Sequence, residues 1–174
     1  MSKAGIFPLK IALLRRDNDE IHRLVSKGAD INLADNKGRN LLHIAINMSS
    51  ATADATFETE QILIDKGVDI NKRDCHGRVP LHYAFVKLRD HKNSGAIDPI
   101  ETVSSLCAKP NLEIEVPDKW LKTPLHYAAQ RSATISSLYI IQRGAQLESK
   151  DIYGNTALGI ALKKNHFNYG IILI

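Results

Sequence analysis

The chain has 174 residues, 44% of them hydrophobic and 24% charged, with a formal net charge of +4. This composition is typical of a globular protein, and no apolar run approaches the roughly 20 residues that a membrane-spanning helix needs, so we expect no membrane partner. Two cysteines, Cys75 and Cys107, are too few for a disulfide framework, which favours an intracellular location, cytoplasmic or nuclear. The small positive charge does not by itself indicate nucleic-acid binding.

The first part of the chain predicts two short helices that lead into a tight turn. FPLKIAL is typical of a first helix, and NDEIHRLVSKG of a second. Ile21, Leu24 and Val25 fall on one face of that second helix, and Gly28 favours a left-handed stop. The next stretch, GADIN, runs into DNKG, and an Asp-x-x-Gly segment favours a finger-like hairpin turn.

The same order of elements recurs along the chain. Four segments align on their turn: DNKGRNLLHIAI from Asp35, DCHGRVPLHYAF from Asp74, DKWLKTPLHYAA from Asp118 and DIYGNTALGIAL from Asp151. A stretch similar to GADIN precedes each one. Its first residue stands thirteen residues before the Pro position of the PLH motif in every copy (28 to 41, 67 to 80, 111 to 124, 144 to 157). The constant offset indicates a repeated structural unit rather than a divided catalytic site.

The turns are 39, 44 and 33 residues apart, which predicts a unit of 33 with insertions of 6 and 11. We expect the insertions within NMSSATADATFETE and RDHKNSGAIDP, as surface loops that are either tolerated or a partner contact. The predicted units, in one domain of residues 1–174, are 1–34, 35–73, 74–117, 118–150 and a truncated 151–174.

The third linker and the fourth unit depart from the pattern. Asn111 stands where the other linkers have Gly, and we expect it to adopt the same positive φ. Trp120 and Leu121 replace the usual turn Gly, so that finger is expected to be atypical. The helix that follows has a good N-cap in Thr123 and a favourable first residue in Pro124.

The period and the motif resemble ankyrin repeats. TPLHYAA, from Thr123, matches the TPLHxA signature of that family in full, and PLHYA, from Pro80, matches it after Val79. The resemblance extends over nearly the whole chain, although the first unit lacks the His and the last has Gly159 in its place. It implies an all-α repeat solenoid of about five stacked helix–turn–helix repeats joined by β-hairpin-like finger loops.

The motif histidines, His43, His82 and His126, are candidates for a metal site or for structural bonds. The resemblance implies that each connects a finger to its neighbour by a hydrogen bond. Residues one repeat apart, about 10 Å, cannot converge on an ion that needs ligands at about 2.0–2.3 Å. Turn carboxylates are expected to cap turns, and those in ETEQ to be solvated. With no phosphate-binding or nucleophile motif, we expect no enzyme activity, no cofactor and no metal in this chain.

The resemblance implies that a partner binds on the concave face, which is made by finger tips and first-helix ends. Carrying those positions over gives twenty residues, of which nine are Lys or Arg and none is Asp or Glu. Trp120 is either a binding anchor beside Tyr153 or a packing residue, and the charge is either functional or ordinary surface. The predicted partner-binding residues are Lys37, Arg39, His76, Arg78, Lys87, Lys119, Trp120, Lys122, Arg131, Tyr153, Asn155 and Lys163.

These residues favour a protein-interaction module that binds an acidic or aromatic-containing segment of another protein. One alternative is the targeting arm of a larger enzyme, of the ubiquitin ligase, kinase or ADP-ribosyltransferase type. A less favoured alternative is nucleic-acid binding, with the two aromatic residues stacked on bases. Phe167, Tyr169 and the segment GIILI also predict an exposed apolar face that contacts further repeats or another copy.

Overall fold

The computed structural model describes residues 6–48, 54–86 and 98–174, which form helices in consecutive pairs and no strand. The all-α repeat solenoid is confirmed, while the repeat boundaries given above stay a prediction. The helices are α1 (Ile6–Arg15), α2 (Asn18–Ser26), α3 (Leu41–Met48), α4 (Asp54–Asp65), α5 (Pro80–Val86), α6 (Ile100–Cys107), α7 (Pro124–Arg131), α8 (Thr134–Gln142), α9 (Ala157–Lys163) and α10 (Phe167–Gly170). A 3₁₀ turn, Ile171–Leu173, follows α10.

The helices form two layers with the core between them. First helices pack on first helices, from α1 through α3, α5 and α7 to α9, and α6 packs on both α4 and α8. Leu42, Leu81 and Leu125, which share one motif position, are fully or almost fully buried in that core. The repeated PLH motif therefore places one leucine per repeat along a continuous apolar layer.

Most second helices end as the sequence predicts. Gly28, Gly67 and Gly144 have φ of 85°, 82° and 92°, a region that residues with a Cβ rarely occupy. The expectation for Asn111 is wrong, because Asn111 has no positive φ. There α6 ends at Cys107, four residues before Asn111, and Asn111 lies inside a turn that is closed by a bond from the Leu112 N–H to the carbonyl of Lys109.

The first insertion is partly helix rather than loop. α4 has 12 residues, whereas α2 and α8 have 9 each, so part of the predicted loop extends α4 at its start. Glu60, which was expected to be solvated, is only 1% exposed because α4 packs on α6 there. Its carboxylate accepts a hydrogen bond from the Thr102 hydroxyl at 2.6 Å. Residues 49–53 and 87–97 lie outside the described residues, and the second range includes all of the second predicted insertion (89–99) except Asp98 and Pro99.

The last pair presents a mixed surface. Phe167, Ile171 and Ile174 are 63%, 70% and 94% exposed, as the apolar segment predicts. Tyr169 does not belong to that exposed face, because it is fully buried and its hydroxyl lies 2.7 Å from the Ser137 hydroxyl. The buried phenol instead connects α10 to α8.

Candidate functional site

Four fingers project from the first-helix layer, and an aspartate organises each one; it is half-buried in the first finger and buried in the other three. They are finger 1 (35–39), finger 2 (74–78), finger 3 (118–122) and finger 4 (151–155). In finger 2, Asp74 Oδ1 accepts the N–H groups of His76 at 2.7 Å and Arg78 at 2.9 Å, and its own N–H donates to the Arg78 carbonyl at 2.9 Å. Fingers 1, 3 and 4 repeat these bonds. The turn aspartates are thus structural caps.

The fingers are joined edge to edge by backbone hydrogen bonds. The second residue of each finger donates its N–H to the carbonyl of the third residue of the preceding finger, at 2.8 Å, 2.8 Å and 3.0 Å. This ladder aligns the third residues in a line, which we term the finger row. The finger row consists of Lys37, His76, Trp120 and Tyr153.

The motif histidines connect each repeat to the next, as the resemblance implies. Nε2 of His43, His82 and His126 lies 3.1 Å, 3.1 Å and 3.0 Å from the carbonyl oxygen of the last residue of the following finger. Burial lowers the pKa of all three and brings that of His82 to about 4. They are neutral struts at pH 7. Among the described residues, no three His, Cys, Asp or Glu side chains are placed to hold a metal ion.

Finger 3 has the same backbone as the others, so the prediction of an atypical finger is wrong. Leu121 has a φ of 56° where its counterparts are glycines. Its N–H donates to the Asp118 carbonyl at 2.9 Å, and the Asp118 N–H donates to the Lys122 carbonyl at 3.0 Å. The aspartate cap and the ladder impose the turn on a leucine, at a strain of about 1–2 kcal/mol.

Trp120 lies against the neighbouring finger and remains accessible. Its ring stacks on the His76 ring, with centroids 5.5 Å apart and planes 16° apart. The Arg78 guanidinium carbon lies 5.6 Å from the Trp120 centroid and 5.8 Å from that of Tyr83. Trp120 is still 37% exposed and Tyr153 is 75% exposed. Trp120 therefore both packs and presents an aromatic surface.

Two tyrosine hydroxyls hold the aspartates of the central fingers, a role that the sequence did not predict. The hydroxyls of Tyr83 and Tyr127 donate to Asp74 and Asp118 at 2.7 Å and 2.6 Å. Burial and the adjacent carboxylate both raise the pKa of Tyr83. Burial acts to raise the pKa of Asp74, but hydrogen bonds from Tyr83 and two backbone N–H groups outweigh it and lower that pKa. The only sequence signal for this role is that Tyr83 and Tyr127 occupy the same position in the two copies of PLHYA.

In the outer fingers, the last residue of the finger performs this task instead. Arg39 donates to Asp35 Oδ2 from Nε at 2.9 Å and from Nη2 at 2.7 Å. Asn155 Nδ2 lies 3.1 Å from Asp151 Oδ1 and 3.3 Å from Oδ2. In fingers 2 and 3 the tyrosine hydroxyls thus make the side-chain hydrogen bond to the aspartate that Arg39 and Asn155 make in the outer fingers. The equivalent residues, Arg78 and Lys122, do not make it.

The predicted site residues separate into two groups. Lys37, Lys119, Trp120, Tyr153 and Lys163 are exposed. A half-buried group makes contacts within the chain: Arg39, His76, Arg78, Lys122, Arg131 and Asn155. In this group the Lys122 ammonium lies 5.8 Å from the Tyr127 centroid, and Arg131 donates to the Val86 carbonyl at 3.1 Å. Lys87 lies outside the described residues.

The comparisons with known proteins agree with this architecture. A family model for ankyrin repeats, in three copies, matches residues 9–97, slightly more than half of the chain. The chain is 32% identical over 143 residues to the poly [ADP-ribose] polymerase tankyrase of Caenorhabditis elegans, which covers 79% of this chain and 6% of that protein. It is 29% identical over 156 residues to a Rickettsia bellii protein named for its ankyrin repeats, covering 90% of this chain and 19% of that protein.

The chain thus spans a small part of the length of each of these relatives. Among the helices of the described ranges, none is long and apolar enough to cross a membrane. The structure agrees with the matched family model in three features: the stacked helix pairs, the hydrogen bonds between fingers and the histidine struts. On this basis the chain belongs to the ankyrin repeat family.

Proposed function

We propose that this chain is a protein-interaction module whose finger face binds an acidic segment of a partner protein. Ankyrin repeats are in general protein–protein interaction modules. The acidic nature of the partner follows from the charges of this face.

The observation that carries the proposal is the division of roles within the central fingers. Tyr83 and Tyr127 hold the finger aspartates, so Arg78 and Lys122 lie beside aromatic rings instead. In the described part of the chain, Nε of Arg78 makes no hydrogen bond and lies 3.7 Å from Asp74. Arg78 keeps only this 3.7 Å ion pair with Asp74, and among the described residues no carboxylate forms an ion pair with Lys122. Because the finger carboxylates are turned inward, the outward field of the face is positive.

Exposed lysines on fingers 1 and 3 extend that field. Lys37 projects from finger 1 and Lys119 from finger 3, on either side of finger 2. Each exposed ion pair with a partner contributes only about 0.2–1 kcal/mol, so the cations act mainly on orientation and association rate. The aromatic surface of Trp120 and Tyr153 supplies apolar contact of the kind that dominates binding energy.

A peptide-library selection on the full chain tests this proposal. The variant Lys37→Glu/Lys119→Glu reverses two finger charges, and Lys27→Glu/Lys66→Glu makes the same charge change at exposed positions after α2 and α4. We expect selected peptides to be rich in Asp and Glu, and to lose at least about tenfold in affinity on the finger variant only. Equal binding to both variants contradicts the proposal.

The same selection separates the protein partner from a nucleic-acid partner. Single-stranded oligonucleotides are titrated beside the selected peptides at two salt concentrations. Tighter binding of the oligonucleotides, with a steep loss at the higher salt, would favour the nucleic-acid alternative. Preference for the acidic peptides favours the interaction module.

A second candidate function is that the module recruits substrates to activity elsewhere in a longer protein. The favouring observation is that the chain spans 6% and 19% of two relatives, one of which is named as a polymerase. In a longer product of the same gene, deletion of residues 1–174 should lower the enzymatic activity toward the selected partner protein. Action on a substrate that does not bind the fingers should be unchanged. Equal loss on both substrates contradicts recruitment.

A further inference from the structure

One step of the finger row leaves aromatic surface unpaired. His76 and Trp120 stack with centroids 5.5 Å apart, and the backbone step that joins them is a 2.8 Å hydrogen bond. The next step, from Trp120 to finger 4, has an equivalent 3.0 Å bond. Yet no ring contact joins Trp120 to Tyr153 among the described residues, and Tyr153 is 75% exposed. The backbone bonds on the two sides of Trp120 are therefore similar, but its ring is stacked only toward His76. We term the side toward Tyr153 the open step.

Two lysines belong to, or are bonded to, the fingers on either side of this step. Lys122 ends finger 3, and Lys163 is exposed beside finger 4, where it donates to the Asn155 side chain. The carboxylates of Asp118 and Asp151 are in residues only 4% exposed, so they are turned away from the surface. The two fingers that carry these rings thus each hold a lysine: the Lys122 ammonium lies 5.8 Å from the Tyr127 centroid, and the Lys163 ammonium is bonded to Asn155.

We propose that the open step between Trp120 and Tyr153 is a subsite for an aromatic side chain of the bound segment, with a neighbouring carboxylate held by Lys122 and Lys163. This subsite rests on the proposed function and specifies its ligand. We term this four-residue subsite the aromatic step.

The chemistry of the aromatic step selects among side chains. A ring that enters it gains offset or edge contacts worth about 0.5–1.5 kcal/mol beyond its buried area. Arg and Lys are otherwise favoured on Trp and Tyr faces, but Lys122 and Lys163 repel them here. An aliphatic side chain gains burial without the ring contacts. An aromatic residue next to Asp or Glu is therefore the best match.

The protein carries its own probe for this test, because Trp120 is its only tryptophan. The fluorescence of the full chain is titrated with two synthetic peptides, Gly-Asp-Asp-Phe-Asp-Gly and the same sequence with Ala in place of Phe. We expect the Phe peptide to shift the Trp120 emission and to bind about three- to tenfold more tightly. Tyr153→Ala should abolish that preference, while the matched control Tyr139→Ala, at an exposed tyrosine of α8, should retain it.

The outcomes separate the aromatic step from the finger-face proposal. Equal binding of both peptides, lost in Lys37→Glu/Lys119→Glu, overturns the aromatic step and leaves the proposed function standing. A Phe preference that survives in Tyr153→Ala overturns the step as well. If neither peptide binds at low salt and both fail equally in every variant, the acidic-segment proposal and the aromatic step are both overturned.

Discussion

Lowering the pH should destabilise the solenoid through its histidine struts, and His82 provides the best case. It is fully buried; its Nδ1 accepts the Val79 N–H at 3.1 Å, and its Nε2–H donates to the Lys122 carbonyl at 3.1 Å. These two contacts define one neutral tautomer. A second proton would be on Nδ1, where it faces the Val79 N–H instead of an acceptor, and it would charge a side chain in the core.

The magnitude follows from the pKa of His82. Burial lowers that pKa from its ordinary 6.5 to about 4 in the folded protein. Each pH unit of the difference corresponds to about 1.4 kcal/mol. As the pH falls below 6.5, the unfolded chain binds the proton first, so the free energy of unfolding decreases by about 3 kcal/mol between pH 6.5 and 4 and then levels. His43 and His126, whose pKa values are also lowered, act in the same direction.

Urea denaturation followed by circular dichroism at pH 7.0, 5.5 and 4.5 measures this loss, which is large beside a typical domain stability of about 5–15 kcal/mol. The variant His82→Gln should be less stable at pH 7.0 but should depend less on pH. The matched control His22→Gln, at an exposed position of α2, should keep the wild-type pH dependence. A wild-type stability that stays constant from pH 7.0 to 4.5, or an unchanged slope in His82→Gln, would refute the reasoning.

Three further predictions concern the fingers and use the same denaturation assay. Gly38→Ala should lower the free energy of unfolding by about 1–3 kcal/mol more than Gly154→Ala. Both glycines have a positive φ, so the backbone strain is similar. A Cβ at Gly38, however, would lie 3.2 Å from the Cys75 backbone nitrogen, whereas nothing lies within 4 Å of a Cβ at Gly154. Equal costs would contradict this. Tyr83→Phe removes a 2.7 Å donor from a buried carboxylate and should cost about 1.5–3 kcal/mol, so an unchanged urea midpoint would count against that bond. Leu121→Gly should stabilise by about 1 kcal/mol, because the φ of 56° is then unstrained, and a lower midpoint would argue otherwise.

The repeat was predictable because it depends on local chemistry that is visible in short segments. The thirteen-residue offset, the turn aspartates and Gly28 each satisfy backbone groups within a few residues. The struts of His43, His82 and His126 were expected from the resemblance to ankyrin repeats, and they recur because one residue type at one repeat position has the same neighbours each time.

Most of the failed predictions concern contacts between units, and the one at Asn111 concerns where α6 ends. Asn111 and Leu121 were judged by their intrinsic backbone preferences, but the path of the chain after α6 and the ladder of finger 3 decided their conformations. The sequence of α4 predicted a solvent-exposed Glu60, which is buried only because α6 packs on α4.

The sequence by itself determined the family and the order of helices and fingers, because these depend on local propensity and on a constant period. Only the tertiary structure decided which cations of the fingers are held by carboxylates. That choice depends on which donor reaches each finger aspartate across space. In fingers 2 and 3 the donor is a tyrosine hydroxyl from the following helix, and this leaves Arg78 and Lys122 beside aromatic rings.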